Sequence, residues 1–428
     1  MYHLYSRRSE YKMEKSMSMQ RRDFLKTLGT ITVAGGLAGC AESSTSNEQS
    51  SLDKIFSFAD NKVPMNAANL CPMPSAISKA IAKYNDELDV DMSGPNRTRI
   101  MALKNQARND IAMQIGVSGD EVAIVRNTSE ANNIVVQGIS LNNQDEVLLW
   151  DQNHPSNKVA WKVRASRMNC HLRHISIPPD TNSIDEVVEI FANAIGKKTK
   201  VVSFTHISNI TGFRLPAKEI CRAIKKKNND IHIHVDGAQT WGVVDVNLLD
   251  MGCDSFSGSA HKWYMGPREV GLLVVKKHNQ HKIWPGVVSV PWGNEAEASV
   301  VGARKYEALG QRDDSAIAAL AETVKFHNQI TTAGIDKQAK SIANQLRQKL
   351  IDIDVPFVSP HNSNFTSNVI ILSAPQETRM ELINNILNDA GIILAPPGGL
   401  RLSPHIYNTP DHVNRVVDAV NKHRNFLG

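Results

Sequence analysis

The sequence predicts an α/β protein: a large domain on a mostly parallel sheet flanked by helices, then a smaller α+β C-terminal domain. Three observations carry that prediction. Short β-branched runs recur at 122–126 (VAIVR), 146–150 (EVLLW), 200–205 (KVVSFT), 231–236 (IHIHVD) and 270–275 (VGLLVV). Helical stretches fall between them, among them EANNIVVQGI from Glu130 and AKEICRAIKKK from Ala217. Apolar strands alternating with helices are the pattern of a parallel sheet covered on both faces. Near residue 315 the pattern changes, and two long helical stretches reaching 352 lead to the short runs NVIIL, GIILA and LRLS. At 428 residues and 41% hydrophobic, the chain is long enough for both cores. The division is therefore 56–310 for the large domain with its N-terminal segment, and 311–428 for the small one.

The first 55 residues read as an address and a tether. QRRDFLK, from Gln20 to Lys26, sets a twin arginine before a glycine-rich, weakly apolar run from Thr27 to Gly39. That run is too short and too rich in glycine for a permanent membrane span. It ends in LAGC, Leu37 to Cys40, which resembles the lipobox of bacterial lipoproteins, and the whole resembles a twin-arginine export signal. The expectation is a 1–40 signal ending at Cys40, export to the periplasmic side of a bacterial membrane, and a lipid anchor at that cysteine. Residues 41–55, polar and Ser-rich, read as a flexible tether. Residues 1–26 hold seven Lys/Arg and three Asp/Glu, a local +4 of the total +5, so no nucleic-acid partner is indicated. Cys71, Cys170, Cys221 and Cys253 lack CxxC spacing, which argues against zinc, and no disulfide is expected to be essential.

Ligands of open parallel sheets bind beyond the carboxyl ends of the strands, so the chemistry should follow each run. RNTSEANN places Thr128 and Ser129 where a strand gives way to a helix, as a phosphate site or as an ordinary cap. DQNHPSNKVAW supplies His154, Asn157 and Trp161; THISNITG supplies Asn209; VDGAQ supplies Asp236 and Gln239. In SGSAHKWYMGP, Lys262 has small and apolar flanks, which suits a partly desolvated ammonium. Desolvation favours the neutral amine, and a neutral amine attacks a carbonyl to form a Schiff base. A metal reading of His232, His234 and Asp236, which share one strand face, lacks further ligands at the usual spacing. No metal is expected.

RNTSEANN, NHPSN with Trp161, THISNITG, VDGAQ, SGSAHK and RLSPHIYNT stand in the order found in the class V aminotransferase family of pyridoxal-phosphate enzymes. The chain resembles that family, which includes cysteine desulfurases, selenocysteine lyases and isopenicillin N epimerases, from about Asn66 to the C-terminus. The resemblance implies fold type I with a seven-stranded sheet and pyridoxal 5'-phosphate held by Lys262 as an internal aldimine, the same lysine moving protons at the substrate α-carbon. It implies that Asp236 pairs with the pyridine nitrogen, that His154 stacks on the ring, and that Asn209 and Gln239 bind the phenolic oxygen. Thr128, Ser129, Ser259 and His261 would bind the phosphate. Arg401 would take the substrate carboxylate, with Asn66 in the N-terminal segment that covers the pocket. A homodimer is implied as well, GQRDD at 310–314 resembling the loop lent across the interface, although Gln311 stands where many relatives have Thr.

The family's desulfurases carry a nucleophilic cysteine shortly before the carboxylate arginine. Here that stretch is GIILAPPGGLRLSP, without cysteine. Persulfide transfer of that type is therefore disfavoured, and the chain looks closer to the isopenicillin N epimerase-like branch, acting on an amino acid, a small-molecule substrate, as an epimerase or a carbon–sulfur lyase. A non-catalytic lipoprotein that kept the fold as a binding module is the alternative from another class, and the presence of both Lys262 and Asp236 argues against it.

Overall fold

The structure, a computed structural model, describes residues 55–59, 61–289 and 302–428. The signal with Cys40 and residues 41–54 of the tether lie outside the described residues. No helix among the described residues is long and apolar enough to cross a membrane.

The chain begins with a short strand, β1 (Val63–Pro64), and two helices, α1 (Ser75–Val90) and α2 (Gly94–Gln114). The large domain follows as β2 (Val122–Val125), α3 (Thr128–Gly138), β3 (Glu146–Trp150), α4 (Pro155–Met168), β4 (His171–Ile175), α5 (Ile184–Asn193), β5 (Thr199–Thr205), α6 (Ala217–Lys227), β6 (His232–Asp236), α7 (Leu248–Met251), β7 (Ser255–Ser259) and β8 (Gly271–Val275). Its strands form a seven-stranded sheet in the order β2-β8-β7-β6-β5-β3-β4. All neighbours pair in parallel except at β8, which runs antiparallel to both β2 and β7.

Alternation along the strands sends side chains to two separate cores. Leu148, Val202, Ile233, Val235 and Phe256 pack with Val187 and Phe191 of α5 and Ile220 and Ile224 of α6. Val147, Leu149, Val201, Leu273 and Val275 pack on the other face with Val135 of α3 and Trp161 of α4. Both faces are covered, which is why β2, β6 and β8 are buried at every position. The edge strand β4 is the exception, with only Ile175 of HLRHI buried.

The C-terminal part comprises α8 (Asp314–Ile330), α9 (Thr332–Asp352), β9 (Ile370–Leu372), α10 (Arg379–Ala390), β10 (Ile392–Ile393), β11 (Leu400–Leu402) and α11 (Pro410–Lys422). β9 and β11 pair antiparallel. β10 pairs in parallel with β1, and Val63 and Met65 pack in the core formed by α9, α10 and α11. The N-terminal segment, grouped with the large domain on sequence, is thus built into the small one. From there it runs to the large domain, where the Cys71 amide donates to the His261 carbonyl at 2.8 Å. This segment spans the two domains beside Lys262.

Candidate active site

The carboxyl ends of β2, β3, β5, β6 and β7 carry the residues singled out on sequence. Asn127 caps α3 by accepting from the Glu130 amide at 3.0 Å, leaving Thr128 and Ser129 as the first helical residues. Ser259, the last residue of β7, joins them: its Oγ accepts from the Thr128 amide at 2.8 Å and lies 2.7 Å from Thr128 Oγ1. Both hydroxyls are buried, while Ser129 is exposed at the mouth. Two oxygens and a helix N-terminus in this arrangement suit an anionic group.

Asp236 ends β6 and is buried. One oxygen accepts from Asn132 Nδ2 at 2.8 Å, the other from the Ala238 amide at 3.0 Å. The turn that follows needs glycine at 237, because a Cβ there would lie 1.9 Å from the Phe256 ring. Gln239 is also buried; its Oε1 accepts from Trp263 Nε1 at 2.7 Å and its Nε2 donates to the Ala68 carbonyl at 3.0 Å. It therefore braces the covering segment as well as facing the site.

Lys262 lies just beyond β7. Burial, offset in part by Asp236 and aided by Arg401, lowers its ammonium to about 8. The residue is half-buried. His154 heads α4, its Nδ1 accepting from the Ser156 amide at 3.2 Å, so that a neutral ring carries its proton on Nε2. Burial first, then the Lys262 charge, holds this imidazole below its usual range. His261 is lowered to about 4, by burial and then by Lys262.

Arg401, on β11, forms the opposite wall. It is buried, and burial lowers its guanidinium to about 10. Nη1 reaches the Asn209 carbonyl at 3.3 Å and Nη2 reaches Asn66 Oδ1 at 3.4 Å. Nε is buried without a partner among the described residues. The side chain of Asn209, itself buried, likewise bonds to no described residue. The loop behind them is held close: a Cβ on Gly398, at φ +80°, would meet the Ile210 carbonyl oxygen at 1.9 Å.

The structure thus gathers Lys262, Asp236, His154 and Arg401 within electrostatic reach of one another, with Thr128 and Ser259 at one side and Asn66, Asn209 and Gln239 around the rim. Gln311 instead accepts from Arg97 at 2.9 Å and donates to the Arg312 carbonyl at 2.8 Å. His232 and His234 spend ring nitrogens on Ser255 and Asn132 rather than facing an ion. Asn132 and Trp263 are functional neighbours that sequence reasoning missed. The signal for Asn132 was its place four residues after Thr128, on the same face of α3.

A half-buried lysine beyond a parallel strand, a carboxylate at the end of its neighbour, and a buried arginine on a second domain are the arrangement of a pyridoxal-phosphate enzyme of fold type I. The family model for aminotransferase class V matches residues 71–416, and the chain belongs to that family. It is an enzyme of the pyridoxal-phosphate-dependent kind. Among curated relatives, an isopenicillin N epimerase from Streptomyces clavuligerus is 26% identical over 375 residues, covering 84% of this chain and 94% of the relative. A cysteine desulfurase from Escherichia coli is 25% identical over 336 residues, covering 73% and 80%. The solved structure of a C-DES mutant with glycine covalently linked to its PLP cofactor superposes with a TM-score of 0.80 at 22% identity, over 88% of this chain and 99% of that one.

Proposed function

We propose that this enzyme uses pyridoxal phosphate to remove a proton from the α-carbon of an amino acid, with epimerisation or carbon–sulfur cleavage as the outcome. The observation that carries the reading is the pairing of a lysine lowered to about 8 with a buried arginine whose Nε lacks a partner among the described residues. An amine that is neutral for much of the time near pH 8 can hold an aldehyde cofactor and take up a proton. A guanidinium with unspent donors takes a carboxylate.

The residues present fit the cofactor. Lys262 would hold it, with Asp236 for the ring nitrogen and His154 for the ring face. Asn209 and Gln239 would serve the phenolic oxygen, and Thr128, Ser129, Ser259 and His261 the phosphate. Bound there, the cofactor supplies an electron sink for the charge left at the α-carbon. Arg401 with Asn66 orients the substrate by its carboxylate, and Lys262 carries the proton.

Within the family, two features favour an epimerase-like or lyase branch over a desulfurase. No cysteine follows Cys253 in the sequence, so the stretch before Arg401 holds no thiol. Cys71, in the covering segment, is pushed up to about 12 by burial, which leaves it a poor nucleophile. The test follows α-proton exchange in D2O by NMR across an amino-acid panel, together with pyruvate and sulfide release and chiral analysis. Inversion marks an epimerase, and sulfide with pyruvate marks a lyase. No exchange with any α-amino acid would sink the reading.

The same reading includes a homodimer, with 310–314 lent across its interface, and a twin-arginine-exported enzyme anchored through lipid on Cys40. Replacing Arg21 and Arg22 with Lys should leave the enzyme in the cytoplasm with its cofactor. Arrival of that variant in the periplasm would remove the export proposal.

A further inference from the structure

Beneath Asp236, away from the cleft, runs a chain of buried polar side chains. His232 Nε2 lies 2.8 Å from Ser255 Oγ, which lies 2.8 Å from His234 Nδ1. His234 Nε2 lies 2.9 Å from Asn132 Oδ1, and Asn132 Nδ2 donates to Asp236 Oδ2 at 2.8 Å. Ser257 Oγ adds a second donor to Asn132 Oδ1 at 2.7 Å. All of these residues are buried.

The direction of this chain can be worked out link by link. Asn132 must turn its NH2 toward Asp236, since the reverse orientation would set a carbonyl oxygen against a carboxylate oxygen. Its Oδ1 then needs donors, so His234 carries its proton on Nε2. The bare Nδ1 of His234 takes the Ser255 hydroxyl proton, and Ser255 in turn accepts from His232 Nε2. That leaves the Nδ1 of His232 as an unprotonated nitrogen, and of this polar series it alone is buried without a partner among the described residues. A lone pair there costs less than an orphaned N–H. Burial holds both rings neutral, His234 at about 3 and His232 at about 4, so each ring has one proton to give. Every donor in the chain points toward Asp236.

We infer that Asn132, His234 and Ser255 are positioning residues for the reaction. By directing a one-way series of hydrogen bonds at Asp236 from below, they fix its carboxylate and favour its ionised form, so that a proton shared with a cofactor ring nitrogen would stay on the nitrogen. The inference rests on the cofactor reading above. Hydrogen bonds in series polarise one another, and the low dielectric around them strengthens the effect. None of the three touches the cleft through this chain; each acts through Asp236. The arrangement also gives a purpose to the histidines of HIHVD without a metal.

The experiment loads the full enzyme with pyridoxal phosphate labelled with 15N in the ring and records the 15N shift of wild type, Asn132→Leu and Ser255→Ala near pH 8. The expected result is a protonated-nitrogen signal in wild type that moves toward the unprotonated position in both variants, further in Asn132→Leu. kcat should fall on the order of tenfold in Asn132→Leu and about threefold in Ser255→Ala, with KM nearly unchanged. Variants that keep the wild-type shift and kcat overturn the relay. If Asn132→Leu does not fold, Ser255→Ala alone decides, because it removes only a hydroxyl. A wild-type enzyme that fails to bind the label at Lys262 overturns the cofactor reading instead, and the two failures are told apart by borohydride trapping and mass mapping.

Discussion

The floor of the site and its far wall are built on opposite plans. At the floor, both oxygens of Asp236 are satisfied by the protein, at 2.8 and 3.0 Å, and a further polar series supports the donor of one. At the wall, Arg401 reaches neutral acceptors at 3.3 and 3.4 Å and leaves Nε without a partner among the described residues. A buried cation so weakly compensated is costly, by several kcal/mol in general. The contrast teaches where the fold is finished before ligand arrives and where it is not. The floor is preorganised; the wall holds an unmet demand of the kind a carboxylate would relieve.

Removing the group both halves serve should have the largest effect. Lys262→Ala should cost about a thousandfold or more in turnover and abolish the borohydride-stable adduct, read by mass mapping. An adduct on another lysine would remove Lys262 from the site. Asp236→Ala breaks the floor: the fold should survive, while kcat falls about a hundredfold, and normal turnover in this variant would mean the carboxylate serves something else. Arg401→Lys breaks the wall more gently. It keeps the charge but replaces a planar fork by a point charge, so KM should rise about tenfold with a smaller change in kcat. Unchanged kinetics toward an α-amino acid would show that the wall does not bind the carboxylate.

The smallest effect sharpens the electrostatic difference between the halves. Only the neutral amine captures an aldehyde, and Lys262 is lowered to about 8 rather than 10.5. Capture of pyridoxal phosphate by apo-enzyme should therefore accelerate as pH rises toward about 8 and level off above it. A rate still climbing between pH 9 and 10 would show a lysine with ordinary solvation.

Much of this was legible in the sequence because the strands that carry the site are β-branched and buried on both faces. β2, β3, β5, β6 and β8 fall within a residue of the runs that announced them. β4 was missed because HLRHI, with only Ile175 buried, lacks an apolar run. β7 was missed because SFSGS is made of small residues whose burial comes from the neighbours rather than from hydrophobicity. Motif order brought Lys262, Asp236, His154 and Arg401 together on paper, and the structure sets them within electrostatic reach of one another. The polar series beneath Asp236 was not readable. His232, His234, Ser255 and Asn132 come from two strands and a helix, and only sheet register brings them into line. Register depends on pairing between distant segments, which local pattern does not encode.

The pairing of β1 with β10 has a consequence for the order of manufacture. Ala68 bonds to Ser403 across 335 residues of chain and Asn408 to Pro64 across 344. The segment beside Lys262 is therefore held by residues synthesised long after both it and the lysine. At ordinary rates of about 5–20 residues per second, Lys262 precedes Ser403 off the ribosome by on the order of ten seconds. During that interval the lysine and its covering segment have been made, but the wall and the residues that anchor the cover have not. A nascent chain that ends before Ser403 can expose a reactive amine, yet it cannot enclose a cofactor, so enclosure must wait for the residues that anchor the cover.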